Sequence, residues 1–165
     1  MTTSVIRRAP RSSPVNPRIV RALADKMLAA LDLSAAELSI LLTDDAGIRV
    51  LNRTHRGKDK PTDVLSFPLD EDADGPDDVR LLGDVVLSID TAERQARSRR
   101  RDLMEELRFL LAHGILHLIG YDHGTRPEKK RMDAACRRLV RAAALPALIK
   151  KEPVRRAKVR KPPRK

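Results

Sequence analysis

The chain has 165 residues, enough for one domain with a real core, and apolar residues make up 41% of it. A lone cysteine, Cys136, excludes an internal disulfide framework and suits a reducing compartment, and no stretch approaches the roughly 18 apolar residues of a membrane helix, so a cytoplasmic protein without a membrane span is expected. The net charge of +11 sits at the ends: residues 150–165 hold nine Lys/Arg and one Glu, residues 1–17 hold three Arg, and 18–149 balance 22 bases against 22 acids.

Residues 1–17 are read as a flexible end bearing Pro and Arg, in which Val5 and Ile6 start a short strand. No apolar segment follows its Arg pair, so it is not a secretory signal, and its three prolines oppose the helix of a transit peptide. Apolar residues at 19, 20, 23, 27, 28 and 31 form a helical stripe over 17–32, opened by Pro17. Residues 37–44 are short, apolar and bounded by polar neighbours, which predicts a strand; Ser34 and Glu37 as a capping box are the signal for a helix instead. A helix is predicted over 45–56, a loop over 56–61, and a strand over 62–68 that alternates Val64, Ser66 and Pro68 against Leu65 and Phe67.

Six acids within 70–78 predict a solvated loop, and the branched residues of 81–90 predict the next strand. A helix follows over 91–101, started by Asp90 or Thr91. Asp102 with Glu105 reads as a cap opening a helix over 103–119, which Gly120 stops. Thr125, Pro127 and Glu128 start a last helix, about 127–144. Residues 150–165 are too charged and too poor in branched apolar residues to build a core, so a disordered basic tail is expected. It serves either to neutralise nucleic-acid phosphates or simply to solubilise. Strands interleaved with helices make the class α+β, a mixed α/β arrangement: a single small domain whose sheet is packed with helices.

The chain concentrates three of its four histidines in HGILHLIGYDH (113–123). His113 and His117, four apart on a helix, project from one face. Gly120 lets the chain turn so that His123 reaches the same point. Three imidazoles converging from a helix and its exit turn suit one Zn²⁺ per chain and leave a position for water, whose pKa such an ion brings to about 7. Packing alone is a poor explanation, because each buried imidazole needs a partner. The spacing equals that of the long-motif metalloproteases, but they place a glutamate after the first histidine as general base. Here that position is Gly114, which disfavours a metalloprotease-like hydrolase. A structural zinc would need a fourth ligand, for which Cys136, His55 and Asp122 are the available residues.

HGILHLIGYDH resembles the signature of the YbeY family, bacterial rRNA maturation factors described as metal-dependent endoribonucleases. LNRTHRGKDKPTDVLSFPLDE (51–71) is similar to that family's other hallmark, and LGDVVLSID (82–90) to its following strand. The resemblance covers roughly 38–135. It implies a mixed sheet of about four strands, zinc on His113, His117 and His123, and Arg56 at the position of an arginine used in RNA cleavage. His55 departs from the pattern, where an aromatic residue is expected.

Around these residues several roles stay open. Arg56 is a phosphate clamp or an ordinary surface arginine at a helix end. Asp122 orients an imidazole or stabilises the turn. Lys58 and Lys60 add charge beside an RNA backbone or lie in a loop, and Tyr121 stacks a base or packs. Glu106, seven residues before His113, lies behind the ligands or is paired elsewhere, and RSRRR (97–101) is an RNA-facing patch or a solvated helix end. The expectation is a zinc-dependent endoribonuclease domain over 18–149, specific for single strands. It would act in 16S rRNA processing and ribosome quality control, with rRNA precursor and the small ribosomal subunit as partners. A ribosome-assembly binding factor with a structural metal is the alternative.

Overall fold

The computed structural model describes residues 3–9, 13–69 and 79–144. Among them are four strands, β1 (Thr3–Arg7), β2 (Glu37–Thr43), β3 (Val64–Pro68) and β4 (Leu81–Ser88). Five helices accompany them: α1 (Pro17–Ala30), α2 (Asp45–Arg56), α3 (Ile89–Ser98), α4 (Leu103–Leu118) and α5 (Arg126–Ala142). The sheet order is β1-β2-β4-β3, with β1, β2 and β4 parallel and β3 antiparallel to β4. The expected α+β domain with a four-stranded mixed sheet is what forms. The acidic segment 70–78 and the basic tail 150–165 lie outside the described residues.

The sheet buries both faces, and the period-2 alternation of its strands decides which residue meets which layer. Ile40, Leu42, Val85 and Leu87 join the main core with α1, α4 and α5, while Leu65 and Val86 meet Ile48 of α2 on the other face. In β3, Val64 packs against the main core and Phe67 against the α2 side. Ser66 donates to the Gly114 carbonyl at 2.9 Å, tying β3 to α4. α4 is apolar nearly all round because it runs between the sheet and its neighbouring helices; Leu107, Leu111, Ile115 and Leu116 are all fully buried.

Some boundaries follow the sequence expectation and others differ from it. The short strand expected at Val5 and Ile6 forms and is longer, with β1 paired in register with β2 from Thr3 to Arg7. Residues 37–43 form the expected strand, and the alternative helix opened by Ser34 and Glu37 does not form. α3 starts at Ile89, capped by Ser88, whose hydroxyl accepts from Thr91 N–H at 3.2 Å. Neither Asp90 nor Thr91 is the cap, because Asp45 pulls that corner together: it accepts from Ser88 Oγ at 2.7 Å and Thr91 Oγ1 at 2.6 Å and pairs with Arg94 at 2.7 Å. Asp102 has the extended backbone of a cap, but its carboxylate makes no capping hydrogen bond. At α5 the capping box forms in full between Thr125 and Glu128.

Candidate metal centre

One turn of α4 separates His113 from His117, and their Nε2 atoms lie 3.1 Å apart. α4 ends in a Schellman motif: Gly120 N–H bonds to the His117 carbonyl at 3.2 Å and Tyr121 N–H to the Leu116 carbonyl at 3.0 Å. That motif needs a residue at positive φ, and Gly120 has φ 96°. The chain turns back along α4, and Asp122 Oδ1 accepts the backbone N–H of His123 at 2.7 Å. The His123 ring thereby comes to 5.2 Å from that of His117 and 5.9 Å from that of His113, centroid to centroid. One donor nitrogen from each histidine lies within 4.8 Å of the other two.

These residues fit a metal. Two nitrogens about 2.0–2.1 Å from a tetrahedral zinc are about 3.3 Å apart, close to the spacing of the α4 pair. Burial pushes the pKa of His113 and His117 below the ordinary imidazole value, and repulsion among the three rings adds to the shift. Both rings therefore stay neutral at neutral pH and offer lone pairs rather than charge. Among the described residues the donor group stops at three. The possible fourth ligands are engaged elsewhere. Cys136 is buried with its thiol facing the Phe109 carbonyl at 3.9 Å, His55 packs on the Phe67 ring at 4.8 Å, and Asp122 is held by its own turn.

The same cleft is lined by Arg56, Asp63, Tyr121 and Asp122. Arg56 is the last residue of α2, and the loop after it is clamped back onto that helix. Buried Asn52 donates to the Lys60 carbonyl at 2.8 Å, and Arg49 binds Asp59 at 2.9 Å. Arg56 makes no ion pair with a described residue, so its guanidinium is available to a ligand. Lys58 does not line the cleft; it is exposed, and its N–H bonds to the Asn52 carbonyl at 3.3 Å. Glu106 is fully buried and away from the cleft, ion-paired with Arg99 and, at 3.7 Å, with Arg101. Arg97 pairs with Glu93 at 2.7 Å, so most of the 97–101 charge is used inside the fold.

Asp63 escaped the sequence reading. It caps the entry to β3, accepting from Val64 N–H at 2.7 Å, and its other oxygen accepts from Gln95 at 3.1 Å. An acid at the head of a strand, one residue after Pro-Thr, was its only signal. Gly114 also gains a second meaning. A Cβ there would lie 2.7 Å from Val85 Cγ1 and 3.2 Å from Val64 Cγ2. The side of α4 at 114 seats directly on the sheet, and a glutamate has neither room nor access to the cleft.

The family model described as "Endoribonuclease YbeY" matches residues 11–144. "Endoribonuclease YbeY" of Aquifex aeolicus is 56% identical over 109 residues, covering 65% of this chain and 71% of that one. The protein of the same description from an Anaeromyxobacter species is 49% identical over 146 residues, covering 88% and 73%. Among solved structures, a solution structure of a Thermotoga maritima protein superposes with a TM-score of 0.60 at 27% identity, covering 86% of this chain and 89% of that one.

Proposed function

This chain belongs to the endoribonuclease YbeY family, and on that premise we propose that it cleaves phosphodiester bonds of single-stranded RNA. In this reading one Zn²⁺ is held by His113, His117 and His123. The substrate is rRNA precursor on the small ribosomal subunit, and the work is 16S rRNA maturation and ribosome quality control in the cytoplasm. The observation that carries it is the convergence of three donor nitrogens within 4.8 Å in a cleft that Arg56 also lines.

When bound, the ion supplies Lewis acidity to a phosphoryl oxygen and to water. Arg56 holds the phosphate through its planar fork and offsets charge gathering on the phosphoryl oxygens in the transition state. Asp122 fixes the backbone at His123 and so the aim of the third ring. Tyr121, half-buried at the cleft wall, offers a face on which a base can stack. No proton-carrying side chain stands at 114, which separates the site from peptide hydrolysis. The alternative, an assembly factor with a structural metal, requires a fourth protein ligand, and none joins the donor group among the described residues.

The test is metal content and cleavage on the same preparation. The purified full chain is expected to carry about one zinc, to lose cleavage of a single-stranded RNA on chelation, and to regain it with Zn²⁺. Arg56→Lys should keep the metal while kcat falls about 100-fold, the scale of losing one aimed transition-state donor. Cleavage that persists in His113→Ala, or that is indifferent to chelation, would sink the proposal.

A further inference from the structure

α5 carries seven Lys/Arg and two acids, although residues 18–149 as a whole are neutral. This is segregation of charge onto one helix, not a share of a general excess. Met132, Ala135, Cys136 and Leu139 turn inward. At about 100° per residue, Arg126, Lys130, Arg137 and Arg141 fall within about 60° of each other on the opposite side. All four are exposed. Of the two acids only Asp133 feels one of the four, Arg137, and neither lies within ion-pairing distance of any of them. Glu128 closes the capping box, accepting from Thr125 N–H at 2.9 Å, and Asp133 pairs with Lys129 at 2.8 Å. None of the four makes an ion pair with a described residue.

The stripe runs about 22 Å along the helix, at about 1.5 Å per residue. It begins three residues after His123, and the cleft-lining Asp122 and His123 lead into it through Thr125, the α5 cap. Between the cations the exposed positions are Pro127, Ala134 and Ala142, with no large apolar side chain to enter a lipid layer. A row of unpaired cations without apolar neighbours, starting at the rim of the metal cleft, matches a flexible polyanion. We propose that Arg126, Lys130, Arg137 and Arg141 form a track that binds the phosphate backbone of the single-stranded RNA next to the segment in the cleft. This rests on the endoribonuclease reading above and adds where the flanking strand lies. Each phosphate held there releases counterions, so the track contributes salt-dependent, sequence-independent affinity.

The experiment compares the zinc-loaded full chain with the variant Arg126→Gln/Lys130→Gln/Arg137→Gln/Arg141→Gln. Labelled single-stranded RNAs of about 30 and about 6 nucleotides report binding against salt by anisotropy, and cleavage is followed in parallel. With about 0.7 units of log–log salt slope per phosphate, loss of four contacts flattens the slope on the long RNA by about 3. KM for the long RNA should rise 10-fold or more, with kcat unchanged and the short RNA hardly affected. Replacing the three arginines by lysine should preserve the slope, and matched thermal unfolding shows that the glutamine variant folds. An unchanged slope overturns the track, as does an equal loss on both RNAs. So does retained RNA binding alongside lost binding to vesicles of anionic phospholipid. If the parent chain cleaves nothing and the slope still flattens in the variant, the track stands and the nuclease reading fails. If the parent cleaves and the slope is indifferent, the track alone fails.

Discussion

Replacing Gly114 by alanine tests whether the close seating of α4 on the sheet sets the histidines. The added Cβ would lie 2.7 Å from Val85 Cγ1, 3.2 Å from Val64 Cγ2 and 3.3 Å from Ser66 Oγ. Carbon atoms rest at about 3.5–4.0 Å, so α4 and the strands must separate locally by roughly 1 Å. Val85 cannot turn aside, being β-branched and fully buried. Overpacking of this kind costs about 1–3 kcal/mol. Against it stands the better helix propensity of alanine, about 1 kcal/mol. The expected net loss is about 1 kcal/mol, or a Tm lower by about 3 °C for a chain of this size. Because His113 is the adjacent residue, zinc affinity should fall as well. Urea and thermal unfolding of the metal-free chain measure the first effect, and zinc titration the second. Adding Val85→Ala removes the obstructing methyl, so the double-mutant cycle should show about 1 kcal/mol of favourable coupling. A Tm that stays level or rises, without coupling to Val85, would refute the reasoning.

Two further outcomes follow from the titrations. His113 and His117 have folded pKa values below the unfolded value of about 6.5, so between the two the unfolded chain holds more protons. The metal-free protein should therefore lose stability as pH falls below about 6.5 and gain nothing from these groups above it; urea midpoints that do not move between pH 7.5 and about pH 5 would count against this. Burial pushes the Cys136 thiol up to about 11, with Asp133 adding to the shift. Iodoacetamide at neutral pH should label Cys136 slowly in the folded chain and quickly in denaturant, and equal rates would show that the thiol is not enclosed.

Most elements were readable locally. α1, α2 and α5 carry their own apolar stripes and caps, so neighbours in sequence suffice to form them. The misses occur where a distant residue decides. Ser88 caps α3 because Asp45 binds it, a pairing of residues 43 apart. β1, expected only around Val5 and Ile6, reaches five residues because of the ladder to β2. Glu106 and RSRRR were ambiguous separately; in the fold the buried Glu106 is ion-paired by the partly exposed Arg99 and Arg101 of that segment.

The sequence by itself determined that three histidines converge into a group able to hold a metal ion, because a four-residue step on a helix and a glycine-terminated turn act over short range. It also determined the family, since three ordered blocks of residues survive without any fold. The tertiary structure decided what surrounds that group. Arg56 and Asp63 lie about 50 residues or more before the histidines, and only the packing of β3 against α4, with α2 seated on the other face of the same sheet, brings them to one cleft. It likewise decided what Gly114 means. In sequence it is a missing glutamate; in the fold it is the point where α4 touches the sheet, and contact distance is a property of two surfaces that no single segment specifies.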